Sequence, residues 1–227
     1  MRRHERRAPG EVKLYSYFRS SAAFRVRIAL NWKGLAHETV AVHLLRGGGE
    51  QSSADYLRAN PAGLVPVLDV DGTVLTQSLA IIEYLEETCP EPPLLPPDAA
   101  SRAFVRSIAL SVACEIHPLN NLRVLRYLVR DLEIGDAAKS AWYRHWVESG
   151  LEQVERMLSQ RGLSGDFCFG DQVTIADLFL VPQIFNARRF DCRLDHVPTL
   201  TAIEQRCMAL DPFIRAQPSA QPDAEPG

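Results

Sequence analysis

The spacing of apolar and polar positions changes character near residue 90. Before it, the periodic runs are short and of two kinds. "EVKLYSYF" (residues 11–18) alternates and is rich in aromatics, which predicts a strand. In "SAAFRVRIALNWKG" (21–34), Phe24, Ile28 and Trp32 recur every fourth position, one face of a helix that Gly34 ends. "HETVAVHL" (37–44) reads as a second strand, "GGGEQSS" (47–53) as a flexible loop, and "ADYLRANP" (54–61) as a short helix stopped by Pro61. "LVPVLDVDGTVLTQ" (64–77) reads as a hairpin with Asp71-Gly72 at its turn, and "SLAIIEYLEETCP" (78–90) as a helix starting at Ser78. The order over residues 11–90 is βαβαββα. A strand-helix-strand start requires a right-handed crossover and parallel pairing, and the hairpin adds antiparallel strands, so a small mixed sheet is expected.

Residues 90–98, "PEPPLLPPD", hold five prolines in nine positions and cannot continue a helix; 91–98 is expected to be a stiff linker. Beyond it the runs lengthen: "AFVRSIALSVACEIHPLNNLRVLRYLV", "AKSAWYRHWVESGLEQVERMLSQ", "TIADLFLVPQIFNARRF" and "TLTAIEQRCMAL" all carry a helical period. Residues 99–216 are therefore expected to form an all-α domain. His117-Pro118 should break or kink its first long helix. Thr174-Ile175-Ala176-Asp177 has the form of a capping box, with Val173 and Leu178 as its staple. "WYRHW" (142–146) reads as core aromatics with His145 exposed. The Pro-rich end, 217–227, reads as a loose tail.

Composition narrows the function classes. A net charge of -3 and a pI near 6.1 lack the basic footprint of a nucleic-acid binder. Five scattered cysteines, an odd number without a CxxC pair or Cys/His ligand spacing, argue against a disulfide framework or a zinc site, and they fit a cytoplasmic setting. No apolar run approaches the roughly 18 residues of a membrane span. The basic start, "MRRHERRAPG", has no apolar stretch of a secretory signal and is read as a disordered extension over residues 1–10.

An α/β half of this order, a proline linker and an all-helical half resemble the glutathione transferase architecture, with a thioredoxin-like N-terminal domain over 11–90. "RSSAAFRVRIAL" is similar to the zeta-class signature, "GLVPVL" and "QSLAIIEYLEE" to the superfamily's glutathione-binding elements. "CEIHPLNNLRVLRYL", "FGDQVTIADLFLVPQ" and "NARRF" resemble the maleylacetoacetate and maleylpyruvate isomerases of that class. The likeness covers roughly residues 12–222. It departs at Ala22, where the signature has cysteine, and at Phe24, where it has tryptophan; activity depending on a thiol at 22 is lost, the serine chemistry is not.

The resemblance assigns the site. A strand ending at a helix N-terminus presents unpaired N–H groups and the positive end of the helix dipole, which favour an anion. A bound glutathione thiolate is such an anion, and a donated hydroxyl hydrogen bond lowers its pKa from about 8.5. The family places that hydroxyl at Ser20, with Ser21 as its neighbour and Arg19 beside both; a serine there also fits a plain N-cap. Val65-Pro66, with the proline cis, would pair with the cysteinyl backbone of glutathione as an added strand does, or else merely edge a strand. Gln77-Ser78 would hold the γ-glutamyl carboxylate, or else simply cap a helix. Asn120 and Asn121 would reach glutathione or substrate. Arg19, Arg123 and Arg189 would clamp the two carboxylates of the substrate, with His117 as a further contact. Arg25 and Arg27 are read as salt-bridge partners and Arg188 as a solvated surface residue.

The activity implied by the resemblance is that of a glutathione-dependent cis-trans isomerase, acting on maleylacetoacetate in tyrosine and phenylalanine catabolism or on maleylpyruvate from gentisate breakdown. A general zeta-class transferase or dehalogenase is the rival within the fold, and a non-catalytic scaffold the rival outside enzymology. The resemblance also implies a homodimer. No metal, membrane or nucleic-acid partner is expected.

Overall fold

The computed structural model describes residues 10–162 and 165–225, so the extension read over residues 1–10 lies, apart from Gly10, outside the described residues. The chain divides into two compact units, one running to Cys89 and resuming at Arg215, the other Pro90–Ile214.

The first unit follows the expected order. Strand β1 (Val12–Ser16) leads to helix α1 (Ser21–Trp32), β2 (Glu38–Ala41), the short α2 (Ala54–Ala59), the hairpin β3 (Val67–Val70) and β4 (Thr73–Thr76), and α3 (Ser78–Thr88). The sheet order is β2-β1-β3-β4. β1 and β2 are parallel, with Lys13 opposite Glu38 and Ser16 opposite Ala41; the other two pairings are antiparallel. The hairpin turns at Asp71 and Gly72, both at positive φ, as a tight two-residue turn requires. Asp71 also accepts the Gly10 and Glu11 N–H groups at 3.2 and 3.0 Å, which ties the start of β1 to the turn.

Helix α1 differs from the one-faced helix its spacing predicts. Every residue from Ala23 to Leu30 is buried, including Arg25 and Arg27. Arg27 spends its guanidinium on oxygens: Nε donates to the Ala216 carbonyl (2.8 Å), Nη1 to Ser16 Oγ (3.0 Å) and Nη2 to the Phe18 carbonyl (3.0 Å). The salt-bridge reading of Arg27 is thus replaced by a hydrogen-bonded clamp on the β1–α1 connection. α1 and α3 are locked at two heights. Arg25 Nη1 donates to Ser78 Oγ at 3.2 Å, and Lys33 Nζ pairs with Glu86 at 2.5 Å. Both steps are eight residues along each helix, so the helices run parallel and start at the same end of the sheet.

Residues 223–225, within the tail expected to be loose, are fastened to this unit. Asp223 Oδ2 accepts the Phe18 N–H at 2.9 Å. Ala224 packs on the apolar cluster of Tyr17, Phe18, Val42, Tyr56, Val65 and Val67. Glu225 meets Arg46, and lies 3.4 Å from His43 Nε2. Proline-rich composition hides these contacts, because they rest on one amide, one small side chain and one ion pair rather than on a periodic apolar run. Asp223→Ala orphans the Phe18 amide and is expected to lower the stability of this unit by about 1–2 kcal/mol, read by urea denaturation.

The second unit is helical: α4 (Ala99–Leu110), α5 (Leu122–Arg130), α6 (Asp136–Arg161), α7 (Ile175–Arg189) and α8 (Pro198–Cys207), with α9 (Asp211–Ala216) beginning in it and running past its last residue, Ile214. The proline segment does more than space the chain. Leu94 and Leu95 are buried, and the Leu94 carbonyl accepts the Ile175 N–H at 2.9 Å. α4 ends as expected near His117-Pro118, through a π-helical turn (Ser111–Ile116) and a 3-10 turn (His117–Asn120). Pro118 has no N–H to continue the ladder. Gly150 of α6 lets the chain approach closely, since a Cβ there would lie 2.4 Å from the Ile116 side chain. The capping box at Thr174 and Asp177 is present. Tyr143 is buried and stacks on Phe190, Trp142 and Trp146 are half-buried, and His145 is exposed. Among the described residues, no helix is long and apolar enough to cross a membrane.

Candidate active site

The sheet register brings three sequence-predicted segments of the first unit to one edge. Tyr15 of β1 faces Val67 of β3, and Val67 faces Thr76 of β4. The residues just beyond these partners are therefore neighbours across the strand ends: the Tyr17–Ser20 connection after β1, Val65-Pro66 before β3, and Gln77-Ser78 after β4. The Val65–Pro66 peptide bond is cis.

Ser20 is the N-cap of α1. Its Oγ accepts the Ala23 N–H at 3.2 Å, which leaves the hydroxyl proton free to be given to an anion at the same helix end. Capping and thiolate donation are thus compatible uses of one hydroxyl. Ser21 is buried as the first helical residue, and Arg19 is half-buried with its guanidinium 4.9 Å above the Phe18 ring. The first turn of α1 holds no acidic side chain, so nothing on the helix itself competes for its positive end.

The cis-proline loop is held from behind. Tyr56 Oη and Asn60 Nδ2 both donate to the Leu64 carbonyl at 2.7 Å. Burial raises the Tyr56 pKa, so this donor stays protonated. Ser78, buried at the first position of α3, follows Gln77 at positive φ; Gln77 makes no side-chain cap, and the first turn of α3 again holds no acidic residue. These features leave the start of α3 favourable to a carboxylate.

Sequence reasoning passed over Gln51. It lies in the Gly-rich loop, yet its side chain is buried and its Oε1 has no hydrogen-bond partner among the described residues. Its carbonyl lies 3.3 Å from where a Cβ on Gly63 would sit, two residues before Val65. A polar residue inside a Gly/Ser-rich stretch carries no burial signal in the sequence. An open cavity of about 500 Å³ runs along the same loop, from Arg46 to Ser53, and does not include Ser20 or Ser78.

The remaining predicted residues belong to the helical unit. His117 is half-buried in the 3-10 turn, which Trp142 Nε1 braces by donating to the Leu119 carbonyl at 2.9 Å. Asn121 is the N-cap of α5, its Oδ1 accepting the Arg123 N–H at 3.1 Å, so its amide NH2 is the part left to face a ligand. Arg123 is exposed in the first turn of α5. Arg189 is exposed at the last position of α7, with its guanidinium 5.1 Å from the Phe190 ring. Helix α6 packs against both α5 and α7. Arg188, read as solvated, is exposed and also pairs with Glu204 at 2.6 Å. No group of three or more His, Cys, Asp or Glu residues suited to a metal occurs among the described residues.

The start of α1 capped by Ser20, the cis Val65-Pro66 loop and the start of α3 at Ser78 thus meet on one sheet edge. The chain belongs to the glutathione S-transferase family: residues 19–88 match its N-terminal domain and residues 136–216 its C-terminal domain. Within the family, relatives 43–51% identical to it are named maleylacetoacetate or maleylpyruvate isomerase. The chain is 51% identical to a probable maleylacetoacetate isomerase of Vibrio cholerae, over 93% of this chain and 97% of that one. A holo structure of maleyl pyruvate isomerase, a bacterial zeta-class enzyme, superposes with a TM-score of 0.91 at 46% identity, covering 94% of this chain and all of that one. A maleylacetoacetate isomerase from Anaeromyxobacter dehalogenans, crystallised with dicarboxyethyl glutathione and citrate in its active site, gives a TM-score of 0.83 at 44% identity, covering 95% and 98%.

Proposed function

We propose that this protein is a glutathione-dependent isomerase that converts maleylacetoacetate to fumarylacetoacetate. The observation that carries the reading is Ser20: a hydroxyl whose acceptor side is used by the helix and whose proton is left for an anion, at the sheet edge that also holds Val65-Pro66 and Ser78. Glutathione would lie along that edge, its sulfur at Ser20 with Ser21 beside it. Its cysteinyl backbone would pair at Val65-Pro66, and its γ-glutamyl carboxylate at Gln77 and Ser78. The buried, unpartnered Gln51 Oε1 would add an acceptor for the same peptide, and the family resemblance adds Asn121 as a further contact.

The chemistry is set by the charge distribution. The thiolate adds to the cis double bond of the acid, forming a C–S bond as the π pair moves into the conjugated carbonyl. The former double bond is now single and rotates. The electron pair then returns, the double bond re-forms as trans, and the thiolate leaves. Glutathione is regenerated. Dicarboxyethyl glutathione, bound by the Anaeromyxobacter relative, has the same kind of bond, from the glutathione sulfur to a two-carboxylate carbon chain. Arg19, Arg123 and Arg189 would hold the carboxylates, with His117 as a further contact. Arg123 sits in the first turn of α5, where the helix dipole disfavours a cation, so its place there serves something other than the helix.

Nuclear magnetic resonance of maleylacetoacetate incubated with the enzyme tests the reading: cis olefinic signals should convert to trans only when glutathione is present. Maleylpyruvate is the second substrate to assay, because the superposition on maleyl pyruvate isomerase is close. Loss of glutathione instead of its regeneration would mark a transferase. Arg123→Ala and Arg189→Ala are each expected to raise KM for the dicarboxylate roughly ten- to a hundredfold, with little effect on the KM for glutathione. The reading carries with it a cytoplasmic homodimer in tyrosine and phenylalanine catabolism, with no nucleic-acid partner; sedimentation of the purified protein tests the dimer.

A further inference from the structure

Arg25 lies one turn into α1, away from the β1–α1 connection, and it is 2% exposed. Lys33, two turns further along the same helix, is also buried, and it is neutralised by Glu86 across a 2.5 Å contact. Arg25 faces the corresponding height of α3, eight residues earlier, where its Nη1 donates to Ser78 Oγ at 3.2 Å. A buried guanidinium is thus held against the first residue of an 11-residue helix that has neither a side-chain N-cap nor an acidic residue in its first turn.

We infer that Arg25 is a positioning residue for the α-carboxylate of glutathione, acting through Ser78. By occupying the acceptor side of the Ser78 oxygen, the guanidinium turns the hydroxyl proton outward, where it can be donated to a carboxylate. Its charge lies one side chain behind that carboxylate, in a buried setting where solvent screens it little. The arrangement at Ser78 parallels that at Ser20, where a backbone N–H takes the acceptor side and frees the proton for the thiolate. Arg25 itself need not touch the peptide. The inference rests on the proposed glutathione site and specifies which end of the peptide reads this charge.

Calorimetry with two peptides tests it: glutathione, and γ-aminobutyryl-cysteinylglycine, which is glutathione lacking only the α-carboxylate. Arg25→Met should weaken glutathione roughly ten- to a hundredfold and leave the decarboxylated peptide within about twofold of wild type. In kinetics it should raise KM for glutathione while kcat at saturating glutathione stays near wild type. In a Ser78→Ala background most of the Arg25→Met effect should vanish, because the two act in series. Arg25→Lys, which keeps the charge, is the variant to use if the methionine protein does not fold; it should show the same discrimination between the peptides, several-fold in size. Equal losses for both peptides, no loss for either, or full additivity with Ser78→Ala would overturn the inference. If wild type binds neither peptide, the glutathione site itself fails and the inference falls with it; wild-type binding with no peptide discrimination by Arg25 sinks the inference alone.

Discussion

Ser20→Ala is expected to lower turnover roughly a hundredfold, the loss typical of removing one donor aimed at a reacting anion, while glutathione affinity changes only a few-fold. The reason is the division of labour on the sheet edge. In the proposed site, peptide binding would be distributed over Val65-Pro66, Gln77 and Ser78, whereas the sulfur would depend on the end of α1 and on a single hydroxyl. Removing a donor to an anion raises the pKa of the thiol, so the ascending limb of the rate–pH profile should move to higher pH. The leaving thiolate is less stabilised as well, and elimination slows with addition. The same substitution removes the cap on Ala23, a cost of about 1 kcal/mol to α1, so the variant is to be compared with wild type below its own unfolding transition. Ser20→Thr keeps both the cap and the donor and should recover much of the rate. An alanine enzyme with an unshifted pH profile and undiminished kcat would remove Ser20 from the chemistry and pass the role to Ser21 or to the helix amides alone.

The first unit was largely legible because its signals are local. Asp71-Gly72 between apolar alternations gives the hairpin, Gly34 ends α1, and Ser78 marks the start of α3. The break at Pro118 was legible for the same reason, since a missing N–H acts where it stands. The contacts that pairing and packing create were not. Arg25 and Arg27 look like the polar side of an amphipathic helix, but α1 is covered all round, and each arginine is buried on hydroxyl or carbonyl oxygens instead. Ser78 announces a helix start; that a guanidinium from residue 25 reaches its oxygen depends on the parallel alignment of two helices, which no single segment encodes. Leu94 and Leu95 were hidden among prolines, and Asp223 in a polar tail, because burial of one or two residues leaves no period to read. Gln51 shows the limit for function: a glutamine among glycines and serines is read as loop until its buried, unpartnered oxygen is seen.

Asp177→Ala is expected to destabilise the helical unit by about 4 kcal/mol, read as a lowered urea midpoint. The carboxylate is fully buried and works in two directions. Oδ2 takes the Thr174 N–H at 2.7 Å and the Thr174 hydroxyl at 3.0 Å, closing the capping box of α7, while Oδ1 takes the Cys168 N–H at 2.8 Å and fixes the segment leading into the helix. Alanine leaves all three donors buried without an acceptor, and the loss of a cap alone, about 1 kcal/mol, understates that. Asp177→Asn keeps one acceptor oxygen but turns an NH2 toward a donor, and should cost about half as much. Burial outweighs the donors and raises the Asp177 pKa above its ordinary value. The folded state therefore binds a proton at Asp177 more readily than the unfolded state. The contribution of this carboxyl to stability is full below the unfolded value near 4 and declines as pH rises through the folded value. Urea midpoints of wild type and the asparagine variant, compared across that window, should draw closer as pH rises. A gap that widened instead would mean that the three donors prevail over burial, and that Asp177 holds α7 as a stabilised anion.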